Sequence, residues 1–308
     1  TLFPYTTLFR SENPYHNFDY KKYPLDLQGW GSTEANFLKL IDRVKPKLIV
    51  EVGSWKGGSA IHMAEYIKQN DIDCKIICID TWLGAVEFLI SKSDKDRYLS
   101  LNKINGYPSV YYQFLANIMH KGLEDIVIPF PQTSVLAARF LGLNKISADL
   151  IYIDASHDEK DVFDDLNNYW NILNSGGVIF GDDYDIHWPG VKIAVNNFVV
   201  ENEIQCEFTE RQWSINKGNE KIKGEEINIY QKARDNKFLA LGYERDLFLA
   251  NTENVRLASC VERLQRENSE LQDLNIDLKE ANKGFLRSWS WRLTLPLRYV
   301  ASLVRVKN

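Results

Sequence analysis

Two stretches of this 308-residue chain put carboxylates where an apolar run stops. In ADLIYID, residues 148–154, Asp154 ends a strand-like run, and His157 and Asp158 follow closely. In VIFGDDY, residues 178–184, Asp182 and Asp183 stand at the end of a second such run. If the two runs are neighbouring strands of a parallel sheet, the three acids converge on one crevice. Crowded carboxylates repel one another and ask for a cation, and hard oxygen donors suit Mg2+ or a related divalent ion. The competing reading is that they cap the helices that follow, which aspartate does well. Capping accounts for one or two of them more readily than for Asp182 and Asp183 together. His157 is placed to take a proton from a reacting hydroxyl, or simply to hydrogen-bond within its own loop.

A second constellation lies upstream. EVGSWKGGSA, residues 51–60, sits where an apolar strand meets a helix. Gly53, Gly57 and Gly58 would let the backbone approach a ligand closely, and the helix start offers free N–H groups. The stretch fits neither the phosphate-loop pattern nor the dinucleotide fingerprint, so alone it reads equally as a plain strand–helix turn. The next strand, CKIICID, ends in Asp80, where an acid is suited to the 2′ and 3′ hydroxyls of a ribose. A helix cap or a solvated loop acid is the alternative.

These residues need a frame that brings them together, and the pattern predicts one. From Lys47 onward, apolar runs alternate with amphipathic ones, as in a parallel sheet flanked by helices. Strands are expected at 47–53, 74–80, 125–130, 148–154 and 178–184. Helices are expected over 32–44, with Ser32 or Thr33 as N-cap, and over 57–69, 134–142, 159–173 and 188–202. The glycines of NSGG would stop the 159–173 helix. QCEFTERQW and EEINIYQKA read as an antiparallel pair at the sheet edge. The expected fold is α/β: a Rossmann-like, doubly wound, seven-stranded sheet, mostly parallel with an antiparallel last strand, carrying a C-terminal helical extension.

VEVGSWKGGSA, ICIDTW, LIYIDASHDEKDVFDDL and SGGVIFGDDY with WPGVKIAV together resemble a class I S-adenosylmethionine-dependent methyltransferase. The nearest subgroup is the one with macrocin O-methyltransferase-like and cephalosporin hydroxylase-like proteins. The resemblance spans about residues 30–232. It implies that Glu51, Gly53, Ser54 and Gly57 contact the methionine part of the cofactor, that Asp80 holds its ribose, and that Ser134 lies near the adenine edge. It further implies a Mg2+ site of Asp154, Asp182 and Asp183, with His157 or Asp154 as general base. The activity implied is O-methylation of a sugar hydroxyl in a bacterial surface polysaccharide or its precursor. A small-molecule natural-product methyltransferase and a non-catalytic coiled-coil scaffold are the alternatives.

Composition bounds the setting. Hydrophobic residues make up 44% and charged residues 26%, and the net charge of −5 argues against a nucleic-acid partner. Residues 285–308 hold four Arg and one Lys and no acid, so the tail is +5 and the remainder −10. Cationic side chains interleaved with Trp289, Trp291, Leu293, Leu295 and Leu297 suit the headgroup region of an anionic membrane. Leu257, Leu264, Leu271 and Leu278 recur every seven residues, which predicts a parallel two-stranded coiled coil over 254–282 and hence a homodimer. Four scattered cysteines make neither a zinc site nor a disulfide scaffold. A cytoplasmic protein, peripheral on the membrane's inner face, is expected. The opening TLFPYTTLFRS resembles a translated sequencing adapter and is set apart from the fold. The expected domains are therefore 12–233 for the catalytic unit, 234–284 for linker and coiled coil, and 285–308 for the basic tail.

Overall fold

The computed structural model describes residues 12–86, 88, 99–209, 211–218 and 289–305, with isolated helical positions between 265 and 283. The chain forms two units, Thr1–Leu241 and Gly242–Asn308. The first unit holds α1 (Ala35–Val44), β1 (Leu48–Val52), α2 (Gly58–Gln69), β2 (Lys75–Asp80), α3 (Val110–His120), β3 (Val127–Pro131) and α4 (Ser134–Leu143). It continues with β4 (Ala148–Ile153), α5 (Glu159–Ile172), β5 (Leu173–Gly181), α6 (Pro189–Asn202), β6 (Cys206–Phe208) and β7 (Trp213–Asn216). In the second unit, α7 runs Trp289–Arg305 with Pro296 inside it.

The seven strands lie in the order β3-β2-β1-β4-β5-β7-β6. The first five pair in parallel, and β7 runs antiparallel between β5 and β6. This is the Rossmann-like, doubly wound arrangement expected. The chain winds outward from β1 to β3, then returns to β4 on the other side of β1, and a crevice opens where the winding reverses. Strand periodicity makes the two layers around the sheet. Val50 and Val52 of β1 join Ile151 and Ile153 of β4 on one face, while Ile49, Leu150 and Tyr152 point to the other. The first face receives α4, α5 and α6; the second receives α1, α2 and α3. Every residue of β1 is buried, which explains why it is apolar at every position but Glu51 instead of alternating.

Three local expectations are corrected. α1 takes Glu34 as its N-cap without a side-chain bond, whereas Ser32 Oγ donates to the Trp30 carbonyl. The positive φ of Gly31, 59°, bends the chain there instead. α5 ends at Ile172 with an extended Leu173, not a glycine cap; β5 begins at once, and Gly176 (φ 81°) lies within it at an irregular register. The segment QCEFTERQW does not form one strand. It splits into β6 and the start of β7, so the antiparallel hairpin is tighter than anticipated. EEINIYQKA, residues 1–11 and most of the 254–282 heptads lie outside the described residues.

Phe37 ties α1 to the sheet: its ring lies 4.8 Å from Tyr152 and 5.5 Å from Phe180, both edge-on. It is fully buried, so Phe37→Ala leaves a cavity beneath β4. Urea denaturation should show a loss of about 3–5 kcal/mol; a loss under about 1 kcal/mol would mean that α1 carries little of the core.

Candidate functional site

The strand register places the tips of β1, β4 and β5 side by side, with Val52 opposite Ile153 and Ile153 opposite Gly181. Gly53, Asp154 and Asp182 therefore follow one another across the sheet end. They border a cleft of about 770 Å3 that runs from Gln132, Ser134 and Asp165 to Asp182, Trp188 and Arg211. That size suits a nucleoside-type ligand with a second molecule beside it.

The glycine loop is built for backbone closeness, but against protein. A Cβ on Gly53 (φ 87°) would strike the Asp154 carbonyl, and one on Gly58 would strike Ser32. Gly57 (φ 84°) fits against the Phe114 ring and is not in the cleft wall. Glu51 is fully buried beneath the loop, accepting from Ser54 Oγ at 2.7 Å and Ser59 Oγ at 2.5 Å. Burial raises its pKa, and the two hydroxyls oppose that shift. It braces Ser54, which lines the cleft, rather than lining the cleft itself.

Asp80 is partly exposed to the cleft and accepts from three backbone amides. Ser54 N–H and Trp55 N–H reach one oxygen at 3.0 and 2.9 Å, and Trp82 N–H reaches the other at 2.7 Å. Burial raises its pKa against these donors. Its carboxylate fixes the loop through three of its roughly four acceptor sites, leaving about one for a ligand. Trp55 (φ 46°) and Trp82 (φ 53°) sit in the left-handed region beside it, a conformation that bulky residues adopt only under outside constraint.

The acidic end is a network. Asp154 accepts from the Tyr152 hydroxyl at 2.9 Å. Burial, with the charges of Asp183 and Asp182, pushes its pKa up to about 7. Asp183, itself at φ 61°, bonds His157 Nε2 at 2.8 Å and Arg211 at 2.5 Å. Burial works to raise its pKa, but His157 and Arg211 outweigh that and hold it low. Asp182 is buried, its pKa pushed up to about 6 chiefly by that burial. Its Oδ1 has no hydrogen-bond partner among the described residues. The His157 ring stacks on Trp188 at 3.8 Å between centroids.

Ligand atoms of Asp154, His157 and Asp183 lie within 4.8 Å of one another. The structure thus gathers three of the four expected residues into one cation-sized set, and His157 takes the place given to Asp182. Asp182 instead faces Gly31 and Arg211. An imidazole among carboxylates suits Mn2+ and similar ions as well as Mg2+. The Asp182 Oδ1 without a hydrogen-bond partner among the described residues and the crowding of Asp154 by Asp182 and Asp183 are compatible with a bound cation.

Three contributors went unseen in the sequence. Arg211 stands on the β6–β7 loop, where no pattern marked it. Gly29, Trp30 and Ser32 enter the cleft wall from an N-terminal strap, which is held down by Asn117 bonds to Asp26 and Lys56. Trp30 also joins Trp55 and Phe88 in an aromatic cluster with centroids 4.8–6.4 Å apart. Asp165 lies at the opposite end of the cleft.

Residues 50–184 match a family model described as a methyltransferase domain. Uncharacterized protein R132 of Acanthamoeba polyphaga mimivirus is 42% identical over 154 residues, 49% of this chain and 59% of that protein. The chain thus spans little more than half the length of this curated relative. Among solved structures, the O-methyltransferase NovP is 20% identical over 60% of this chain and 78% of its own, with a TM-score of 0.45. CalS11, a calicheamicin methyltransferase, is 18% identical over the same shares, also at 0.45. An O-methyltransferase from Bacillus cereus in complex with SAH is 14% identical over 67% and 87%, at 0.42.

Cation binding can be tested without turnover. At a hundredfold excess over Kd, Mn2+ or Mg2+ should raise the melting temperature by roughly 5–10 °C. Asp154→Asn should remove most of that rise. A melting curve that ignores both ions would overturn the metal assignment.

Proposed function

We propose that the chain methylates a sugar hydroxyl, using S-adenosylmethionine, from the premise that residues 50–184, on the Rossmann-like sheet, match a methyltransferase-domain model. The observation that carries this reading is that one cleft is lined both by Asp80 and Ser134 and by an acid–histidine cluster of Asp154, His157, Asp182 and Asp183 with tryptophans beside it. Sugars present hydroxyls to carboxylates and C–H faces to indoles, and Trp30, Trp55 and Trp188 line the cleft beside the acids.

S-adenosylmethionine supplies a sulfonium methyl that needs no further activation. The chain's task is to align an acceptor oxygen with it and to remove that oxygen's proton. Asp183 fixes His157 by accepting from Nε2–H, so that Nδ1 carries the lone pair. His157 then takes the acceptor's proton as the oxygen–carbon bond forms and the carbon–sulfur bond breaks, with the sulfur keeping the electron pair. Trp188 holds the imidazole plane. Asp154, with its raised pKa, is the second candidate base. If Asp154, His157 and Asp183 instead hold a divalent cation, whose chemistry there would be to acidify a bound hydroxyl, the imidazole lone pair goes to the ion and His157 is a ligand in place of the base. Arg211 supplies the positive charge that keeps the acids together.

The basic tail supports a surface glycan or its lipid-linked precursor over a free metabolite. In α7, Leu293, Leu297 and Val300 follow helical spacing, are all exposed, and form one apolar stripe, with Arg298 on the far side. Among the described residues no helix is long and apolar enough to cross a membrane, so the proposal is surface attachment. Pairing through 254–282 would double the weak hold of a single helix.

Two experiments bear on these readings. With labelled cofactor and a panel of sugar nucleotides and lipid-linked glycans, His157→Ala should lower kcat by about 10²–10⁴; an unchanged rate would remove His157 from the base role. In flotation with anionic liposomes, the intact chain should rise with the vesicles and a truncation before Phe285 should stay behind. Equal flotation of the two would refute the tail's membrane role.

A further inference from the structure

A second cavity, of about 350 Å3, lies beside the cleft, at the small end of ligand-sized pockets. Its wall includes Asp26, Lys56, Leu99, Ser100, Ser109 and Val110. None of these lines the cleft, but their chain neighbours do. Asp26 of the N-terminal strap lines the second cavity, while Gly29 and Trp30 of the same strap line the cleft. Lys56 likewise lines the second cavity, and Ser54 and Trp55 the cleft. Lys56 Nζ lies 5.6 Å from the centroid of the Trp55 ring, so one strap and one loop divide the two spaces.

Lys56 makes the cavity more than a packing gap. Its side chain is 7% exposed, and Nζ bonds Asp26 Oδ2 at 2.6 Å. An ammonium carries three donors, and among the described residues Asp26 is the acceptor that Nζ reaches. Two donors are left over at the wall of a cavity. Asp26 accepts from Lys56 and, at 3.0 Å, from Gln28 N–H, which leaves it acceptor sites as well. Together the pair is neutral, so it does not call for an ion. It calls for neutral groups that accept from Lys56 and donate to Asp26. Neighbouring hydroxyls of a sugar ring do both, and Leu99 and Val110 supply apolar surface for the ring's C–H face.

We propose that this cavity is a second sugar subsite, holding a unit of the acceptor glycan other than the one methylated. The proposal rests on the sugar-acceptor reading above and narrows it. The acceptor is an oligosaccharide or longer chain, which passes from the acid cluster across the half-exposed Trp30 and Trp55 to Lys56 and Asp26.

A glycan array of mono- to tetrasaccharides, probed with the labelled full chain in saturating S-adenosylhomocysteine, identifies the bound glycan. Calorimetry then compares that glycan with its own terminal monosaccharide. The wild type should bind the longer form about tenfold more tightly, the worth of one or two net hydrogen bonds. Ser100→Trp fills the cavity from its edge. Asp26→Leu with Lys56→Met removes the pair without leaving one charge buried alone. Each should bring the two lengths to within about threefold of one another and leave S-adenosylhomocysteine affinity unchanged. Equal affinity for both lengths in the wild type, or a length preference that survives Ser100→Trp, overturns the proposal. If the double variant does not fold, Ser100→Trp alone decides. S-adenosylhomocysteine binding with no glycan bound at all would instead overturn the sugar-acceptor reading, and the subsite with it.

Discussion

The close passage of β1 past β4 is the constraint on which the site depends. Asp154 N–H bonds the Val52 carbonyl at 2.8 Å, and Gly53 N–H bonds the Ile79 carbonyl at 2.8 Å. Three strand tips are thereby locked within one hydrogen-bonded row. Only glycine fits at position 53, because its φ is positive and a Cβ would occupy the place of the Asp154 carbonyl. With that contact made, the loop after β1 and the acid after β4 share a wall of one cleft. Without it they would be two unrelated turns.

Charge is the second organising term. Asp154, Asp182 and Asp183 crowd one another at the sheet end, and their pKa values split according to who has a partner. Asp183, held by His157 and Arg211, stays below the usual carboxylate range. Asp154 and Asp182, more buried than compensated, rise to about 7 and about 6. Carboxyls set apart in this way mark functional sites more often than structural ones. Stability follows the same sign. A carboxyl whose folded pKa is raised holds its proton longer than in the unfolded chain, so its contribution declines as pH climbs from about 4 towards 7. A cluster of this kind is retained against stability.

How legible was this in the sequence? The parallel strands were, because a strand buried on both faces reads as a nearly continuous apolar run, as LIVEV and KIICID do apart from Glu51, Lys75 and Asp80. Asp154, Asp182 and Asp183 were legible because strand ends in such a sheet converge. The division of labour among them was not: spacing cannot show that His157 turns into the cation-sized set while Asp182 faces the N-terminal strap. Glu51 and Gly57 were expected at the ligand; neither lines the cleft, and Glu51 lies beneath Ser54, which does. The distinction depends on which way a loop folds over its own side chains. Trp30 and Arg211 were invisible because they reach the cleft from loops, where no periodicity announces direction.

The loop after β1 shows how support and recognition divide. Asp80 might be read as a free ribose ligand, but three backbone amides already occupy most of its acceptor positions. Beneath it, Glu51 holds Ser54 and Ser59, and together the two acids clamp the loop from below and from the side. A loop fixed by buried carboxylates costs little to order when a ligand arrives, so binding energy is not spent on folding it. The same clamp keeps Trp55 and Trp82 in backbone conformations they would otherwise abandon.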